Sequence, residues 1–149
     1  MRLTVEFVTP IQSLLREEVD AVSVPTTAGE ISILPLHTPL IATMGPGELR
    51  LRQGETIHSF AVSGGVLSVR SGSRVVVLAD AAERAEEISE AAAEEARRRA
   101  LALRTSVAAD DVAFAAAQAA VERELARIRV ARKFRHRGHH GAARGTLPE

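Results

Sequence analysis

The chain has 149 residues, 19 basic against 19 acidic side chains, 46% apolar residues, 3% aromatic residues and no cysteine. Without cysteine it can have no disulfide, thiolate nucleophile, thiolate zinc site or cysteine-held iron–sulfur cluster, so the fold must hold by packing alone. Zero net charge argues against a dedicated nucleic-acid binder, and no stretch approaches the roughly 18 uninterrupted apolar residues that a membrane-spanning helix needs.

Seven of the ten glycines and five of the six prolines lie at or before Gly72, and neither type occurs between Ser73 and Arg137. Two unlike halves are expected: a turn-rich one and an uninterrupted one. Leu3, Val5 and Phe7 alternate with Thr4 and Glu6, as in a half-buried strand, and Pro10 ends the run. An alternating start of this kind gives no expectation of an export signal. Val22 and Val24 precede Pro25 and the turn Thr26-Thr27-Ala28-Gly29, and Ile31 and Ile33 precede Pro35, so two further short strands are expected. Leu49 and Leu51 alternate with charged residues before Gln53-Gly54 turns the chain toward Ile57 to Val62, which predicts a hairpin. Ser63-Gly64-Gly65 breaks the next pair, Val66 to Arg70 and the Val75-Val76-Val77 run, whose apolar character predicts a central strand. Eight to ten short strands with frequent turns indicate a sandwich or flattened barrel.

Beyond Asp80, read as a helix cap, Ala85, Ile88, Ala92, Ala96, Ala100 and Leu103 recur at three- and four-residue intervals and predict an amphipathic helix of about 20 residues. Glu94 with Arg98 and Glu95 with Arg99 have the favourable order for pairs four residues apart. The pattern lapses at Thr105 to Ala109. Asp110 or Asp111 then caps a second helix with Phe114, Ala117, Val121, Leu125 and Ile128 on one stripe. Glu83 to Glu95 holds six acids and one arginine, whereas Arg123 to Arg137 is mostly basic, so an antiparallel hairpin brings opposite charges together. Alanine buries little area, and the thin seam predicts a hairpin able to exchange its own contacts for a partner's. The organisation read from these patterns is a sheet domain over residues 1–80, a helical hairpin over 81–134 and a disordered basic tail over 135–149.

No catalytic constellation emerges. Gly64-Gly65 lies outside any phosphate-loop or dinucleotide pattern, Lys133 is the only lysine, and Ser63 has no nucleophile elbow. His136, His139 and His140 read as a solvated tail rather than a metal site, because Gly138 and Gly141 weaken the helix that would converge them. No catalytic residue, metal or cofactor is expected. His37, between Pro35 and Pro39, reads either as a turn histidine bonding locally or as part of a docking loop with Glu30. Arg127, Arg129, Arg132, Lys133 and Arg135 read as a solvated helix end or as a match for an acidic protein surface.

Several segments together resemble the epsilon subunit of bacterial F-type ATP synthase, the counterpart of the mitochondrial delta subunit. They are Val22-Ser23-Val24-Pro25, Gly29-Glu30, Ile33-Leu34-Pro35-Leu36-His37-Thr38-Pro39-Leu40, Gly45-Pro46-Gly47-Glu48-Leu49-Arg50, Ala61-Val62-Ser63-Gly64-Gly65-Val66-Leu67 and Leu78-Ala79-Asp80 leading into Ala82-Glu83-Arg84-Ala85. Their order and spacing match from about residue 3 to residue 131, leaving Phe134 to Glu149 outside.

The resemblance implies a β-sandwich of about ten short strands followed by a C-terminal antiparallel two-helix hairpin. It implies a non-catalytic rotor subunit on the central stalk of a proton-translocating synthase, bound to the gamma subunit and seated on the c-ring, peripheral on the cytoplasmic side of a bacterial membrane. Glu30 and His37 then fall in the c-ring docking region, and Gly64 and Gly65 have a packing role. The hairpin of such a subunit can extend beside gamma toward the alpha and beta subunits and suppress ATP hydrolysis. Arg123, Arg127, Arg129 and Arg132 are the candidate inhibitory contacts with acidic segments of beta. In two places the chain departs from its relatives. Where some of them bind regulatory ATP through Ile-Asp-x-x-Arg-Ala, this chain reads Ile88-Ser89-Glu90-Ala91-Ala92-Ala93, so nucleotide binding is not expected; and Leu36 stands where relatives often have glycine. The alternative class is a small basic-tailed adaptor for nucleic acid or protein, which the lack of a basic, aromatic-rich strand face disfavours.

Overall fold

The computed structural model describes residues 1–142, with side chains through Arg137. The chain divides into two compact units, Met1–Arg84 and one that begins at Ala85.

The first unit contains ten strands: β1 (Leu3–Val8), β2 (Ser13–Val19), β3 (Ala21–Thr26), β4 (Gly29–Ile33), β5 (Leu40–Met44), β6 (Gly47–Gln53), β7 (Thr56–Val62), β8 (Gly65–Arg70), β9 (Arg74–Ala79) and β10 (Ala82–Arg84). They hydrogen-bond in the order β10-β7-β6-β3-β5-β8-β9-β1-β2, with β4 added to β3. Neighbours are antiparallel except β1 and β9, which run parallel with Val5 opposite Val75. The path folds back on itself. The Asp20 N–H just past β2 donates to the Arg52 carbonyl of β6 at 2.7 Å, and Gln53 Nε2 donates to the Glu18 carbonyl at 2.9 Å. Two layers therefore face each other, as the strand count and turn spacing indicate.

Alternation places the core. Leu3, Val5 and Phe7 of β1, Val22 and Val24 of β3, Leu49 and Leu51 of β6 and Val75 and Val77 of β9 are all fully buried. Phe7 and Phe60, far apart along the hydrogen-bonded path, meet edge to face with ring centroids 5.0 Å apart. Such a pair adds about 1 kcal/mol beyond its buried area. The Arg84 guanidinium covers the Phe60 ring at 5.2 Å. At the corner after β2, Asp20 accepts from the Gly54 N–H at 2.5 Å and lies 3.4 Å from Arg2 Nε. The Gly54 hydrogen bond lowers its carboxyl below the usual carboxylate range, with desolvation opposing and Arg2 and Arg52 assisting.

Two readings from sequence need correction here, and Ser13–Val19 adds a strand where none was read. Ser13–Val19 forms a strand although Leu14-Leu15 followed by Arg16-Glu17-Glu18 breaks the alternation, because β2 pairs with β1 along one side and leaves most of its side chains exposed. Asp80 does not cap a helix: its N–H donates to the Gly64 carbonyl at 3.0 Å, and the chain continues into β10, paired with β7. The sheet unit consequently ends at Arg84 instead of residue 80.

The second unit opens with a 3-10 turn, Ala85–Glu87, followed by α1 (Glu90–Ser106) and α2 (Asp111–Ala142). Ser89 is the N-cap of α1, its hydroxyl accepting from Ala92 N–H at 3.2 Å, so α1 has 17 residues and starts later than predicted. Asp110 caps α2, its Oδ1 accepting from Val112 and Ala113 N–H, each at 3.0 Å. The α1 seam is rotated from the predicted stripe: Ala93 and Ala100 are buried, whereas Ala92 and Leu103 are exposed. On α2, Ala117, Val121 and Ile128 are buried as their spacing requires, Leu125 is half-buried and Phe114 is exposed. The helix also runs past Phe134 to Ala142, through Gly138 and Gly141. A glycine costs a helix only about 1 kcal/mol, less than is needed to end one already running. The predicted tail is thus helical over residues 135–142, while residues 143–149 lie outside the described part.

Candidate functional site

Three surfaces carry the residues of interest. The first is β4 and the loop after it. Glu30, exposed near the start of β4, binds Arg50 of β6 at 2.5 Å, and Arg50 Nε lies 3.5 Å from Glu48 Oε1. His37 follows the other end of β4. Its N–H donates to the Leu34 carbonyl at 3.1 Å, and its Nδ1 lies 2.7 Å from the Thr38 carbonyl, so Nδ1 carries the proton. Glu30 and His37 stand toward opposite ends of β4, with about 10 Å of extended strand between Glu30 and Ile33. They flank one edge of the sheet, where β4 pairs only with β3 among the described residues.

The second surface was not singled out from sequence. On the outer face, Thr43, Val66, Leu78 and Val8 lie opposite one another across β5, β8, β9 and β1, with Ile41, Ser68, Val76 and Glu6 in the next row. Ile41 is 79% exposed, Leu78 49% and Val66 39%. The signal was present in the unbroken apolar run from Val75 to Ala79. Alternation would have made one face polar; this strand is apolar on both.

The third surface is the charged side of the helical unit. Arg132 reaches across from α2 to α1, with Nε 2.8 Å from Glu90 and an Nη 3.0 Å from Glu94, and Arg135 also pairs with Glu90. The expected attraction between an acidic first helix and a basic second one takes this form. Glu94 thereby faces α2, and Arg98 pairs with Glu95 at 2.9 Å, so the predicted pairs four residues apart give way to these. Arg127 pairs with Glu124 on its own helix at 2.8 Å, and Arg123 and Arg129 are exposed and form no ion pair among the described residues. At 100° per residue, Arg123 and Arg127 lie about 120° to 180° around the helix from Arg129 and Arg132. One flat acidic surface therefore meets one pair or the other, never all four.

Ser89 and Glu90, at the position where nucleotide binding was considered, are engaged as helix cap and as acceptor for two arginines. Among the described residues no group of three metal-binding side chains comes together. The side chains of His139 and His140 lie outside the described part. Among the described residues no helix is long and apolar enough to cross a membrane.

Comparison with known proteins gives a consistent result. A family model for the beta-sandwich domain of the ATP synthase delta/epsilon chain matches residues 2–85. The chain is 44% identical over 134 residues to the ATP synthase epsilon chain of Dehalococcoides mccartyi strain BAV1, covering 90% of this chain and 95% of that one. It is 41% identical over 138 residues to the epsilon chain of Herpetosiphon aurantiacus, covering 92% and 99%. In fold it resembles a chain of the OSCP/F1/c-ring part of the Euglena gracilis mitochondrial ATP synthase, with a TM-score of 0.74 at 23% identity over 83% of this chain and 77% of that chain.

Proposed function

The chain belongs to the ATP synthase delta/epsilon family as an epsilon chain, a non-catalytic subunit of the central stalk, and we propose that it works by docking its sheet unit at two places at once. The Glu30 edge and the His37 loop sit on the c-ring, and the apolar outer face of β5, β8 and β9 sits against gamma. The observation that carries this reading is that outer face: Val66 and Leu78 stand exposed opposite each other, with Ile41 exposed in the next row, on a sheet whose other face already holds the core. Apolar surface of this kind calls for a permanent protein neighbour. A body clamped between two rotating parts transmits torque through packing and needs no reacting group of its own.

The helical unit supplies regulation. In the arrangement described, α1 and α2 close on each other through small side chains and the Arg132 bridge to Glu90 and Glu94. Extended beside gamma, α2 would release Arg132 from both carboxylates and present Arg129 and Arg132, or Arg123 and Arg127, to acidic segments of the beta subunits. The site of action is peripheral, on the cytoplasmic side of a bacterial membrane. Alpha and beta are conditional partners, gamma and the c-ring constant ones.

The test is depletion and return. Membrane vesicles stripped of this subunit should lose proton-driven ATP synthesis and regain it when the full chain is added, with the chain recovered in the complex. Vesicles that synthesise ATP at the same rate with and without it would contradict the coupling role.

A further inference from the structure

We propose that Leu36 sets the strength of docking on the c-ring, as an apolar contact held out toward that partner by a strained turn; this rests on the docking reading above. Leu34 to His37 form a β-turn in which the His37 N–H donates to the Leu34 carbonyl at 3.1 Å, Pro35 takes the second position and Leu36 has φ 66°. Proline followed by a residue at positive φ is the pattern of a type II turn, whose third position belongs to glycine or asparagine. A leucine there brings its Cβ against the neighbouring backbone and is strained.

Among the described residues the Leu36 side chain finds no burial to offset that strain. Leu36 is 75% exposed and Leu34, two residues back in the same turn, 52% exposed, so neither side chain gains the burial a leucine ordinarily finds. The backbone is nevertheless locked. Leu36 N–H donates to Ser73 Oγ at 3.0 Å, and Ser73 is itself buried in the turn between β8 and β9, its carbonyl accepting from Thr4 N–H at 2.9 Å. Pro35 and Pro39 restrict the flanks. An exposed leucine held rigidly in a conformation that costs stability is arranged for a surface outside the chain.

The partner follows from the docking reading proposed for the His37 loop. Leu36 is joined directly to His37 and lies beyond the end of the Glu30 strand, so it is continuous with the proposed c-ring edge. The c-ring surface it meets must offer an apolar contact among polar neighbours, since Leu34 and Leu36 are bordered by His37 and Thr38.

Two substitutions in the full chain, Leu36→Gly and Leu36→Asn, separate strain from contact. Both residues accept positive φ, so both variants should melt above the wild type, the glycine variant by about 4 °C. Both should rebind about tenfold more weakly to membrane complexes stripped of this subunit, the loss expected for an unburied leucine. Rebinding to the soluble catalytic head with gamma but no c-ring should be unchanged. Equal rebinding of wild type and variants to membranes would overturn the proposal. So would equal losses on the soluble head, which would assign Leu36 to gamma, and so would lower melting temperatures, which would make Leu36 a structural part of the loop. Failure of the wild type itself to bind the c-ring-bearing membranes better than the soluble head would instead remove the docking reading on which this rests.

Discussion

Gly65→Ala should strip the sheet unit of a large part of its stability. Gly65 stands between two strands, opposite Met44 of β5 and Ala79 of β9, at φ 132°. A Cβ added there would lie 2.0 Å from the Leu78 carbonyl oxygen and 2.8 Å from the Ala79 Cα, both backbone atoms that no side-chain rotation can move aside. The left-handed φ alone costs about 1 kcal/mol, and forcing two central strands apart raises the loss to ~4 kcal/mol or more. That is comparable with the whole stability of a domain of this size, about 4 to 12 kcal/mol. The variant should lose at least about 15 °C of melting temperature and fail to enter the complex. Gly72→Ala is the control: Gly72 has φ 77° but no atom within 4 Å of the added Cβ, so only the conformational cost of about 1 kcal/mol applies. Similar melting temperatures for the two variants would show that backbone conformation, and not the close approach, governs both.

Ending the chain after Val107 should raise ATP hydrolysis by at least about fivefold, the lower range of coupling between distant sites, while leaving the subunit bound. The truncation removes α2 whole, with Arg132 and its bridge to Glu90 and Glu94, and leaves intact Met1–Arg84, which holds the Phe7–Phe60 core. Docking and regulation should therefore separate. The seam that α2 leaves is small, Ala93 and Ala100 being the buried side chains of α1, so little apolar surface is newly exposed. Unchanged hydrolysis in a fully assembled complex would contradict inhibition by the hairpin. A truncated chain that no longer assembles would place docking contacts in the helices instead of the sheet.

Much of this was legible in the residues. Period-two runs in Leu3 to Phe7, Val22 to Val24 and Leu49 to Leu51 gave strands whose inward side chains are the observed core. The glycine and proline imbalance separated the sheet from the helices. Boundaries were less legible where two signals competed. Asp80 looks like a helix cap by type, but three strand residues still have a partner in β7, and Ser89 is the residue whose hydroxyl meets the first free N–H groups. The α1 stripe was misplaced because alanine contributes so little to periodicity that a rotation by one residue leaves the pattern almost unchanged.

The candidate site was legible in type more than in arrangement. Glu30 and His37 stand on one edge, yet at opposite ends of a strand, a separation that spacing alone does not reveal. The four arginines cluster in sequence but divide into two pairs around α2. The ion pair from Arg50 to Glu30 links residues twenty positions apart and requires the β3 pairings with β4 and β6 to be known. Leu36 is legible in the sequence as a departure in type. Its positive φ, which turns the departure into a testable feature, is a property of the folded turn.

In the proposed arrangement the β4 edge and its loop face the c-ring while the outer face of β5, β8 and β9 faces gamma. The chain has no cysteine, so single cysteines can be introduced on an unreactive background. With cysteine at Thr38 in one variant and at Thr43 in another, a short crosslinker applied to the assembled complex in membranes should join the first to a c subunit and the second to gamma. Products with these partners exchanged, or no product at either site in a complex that retains the subunit, would contradict the account.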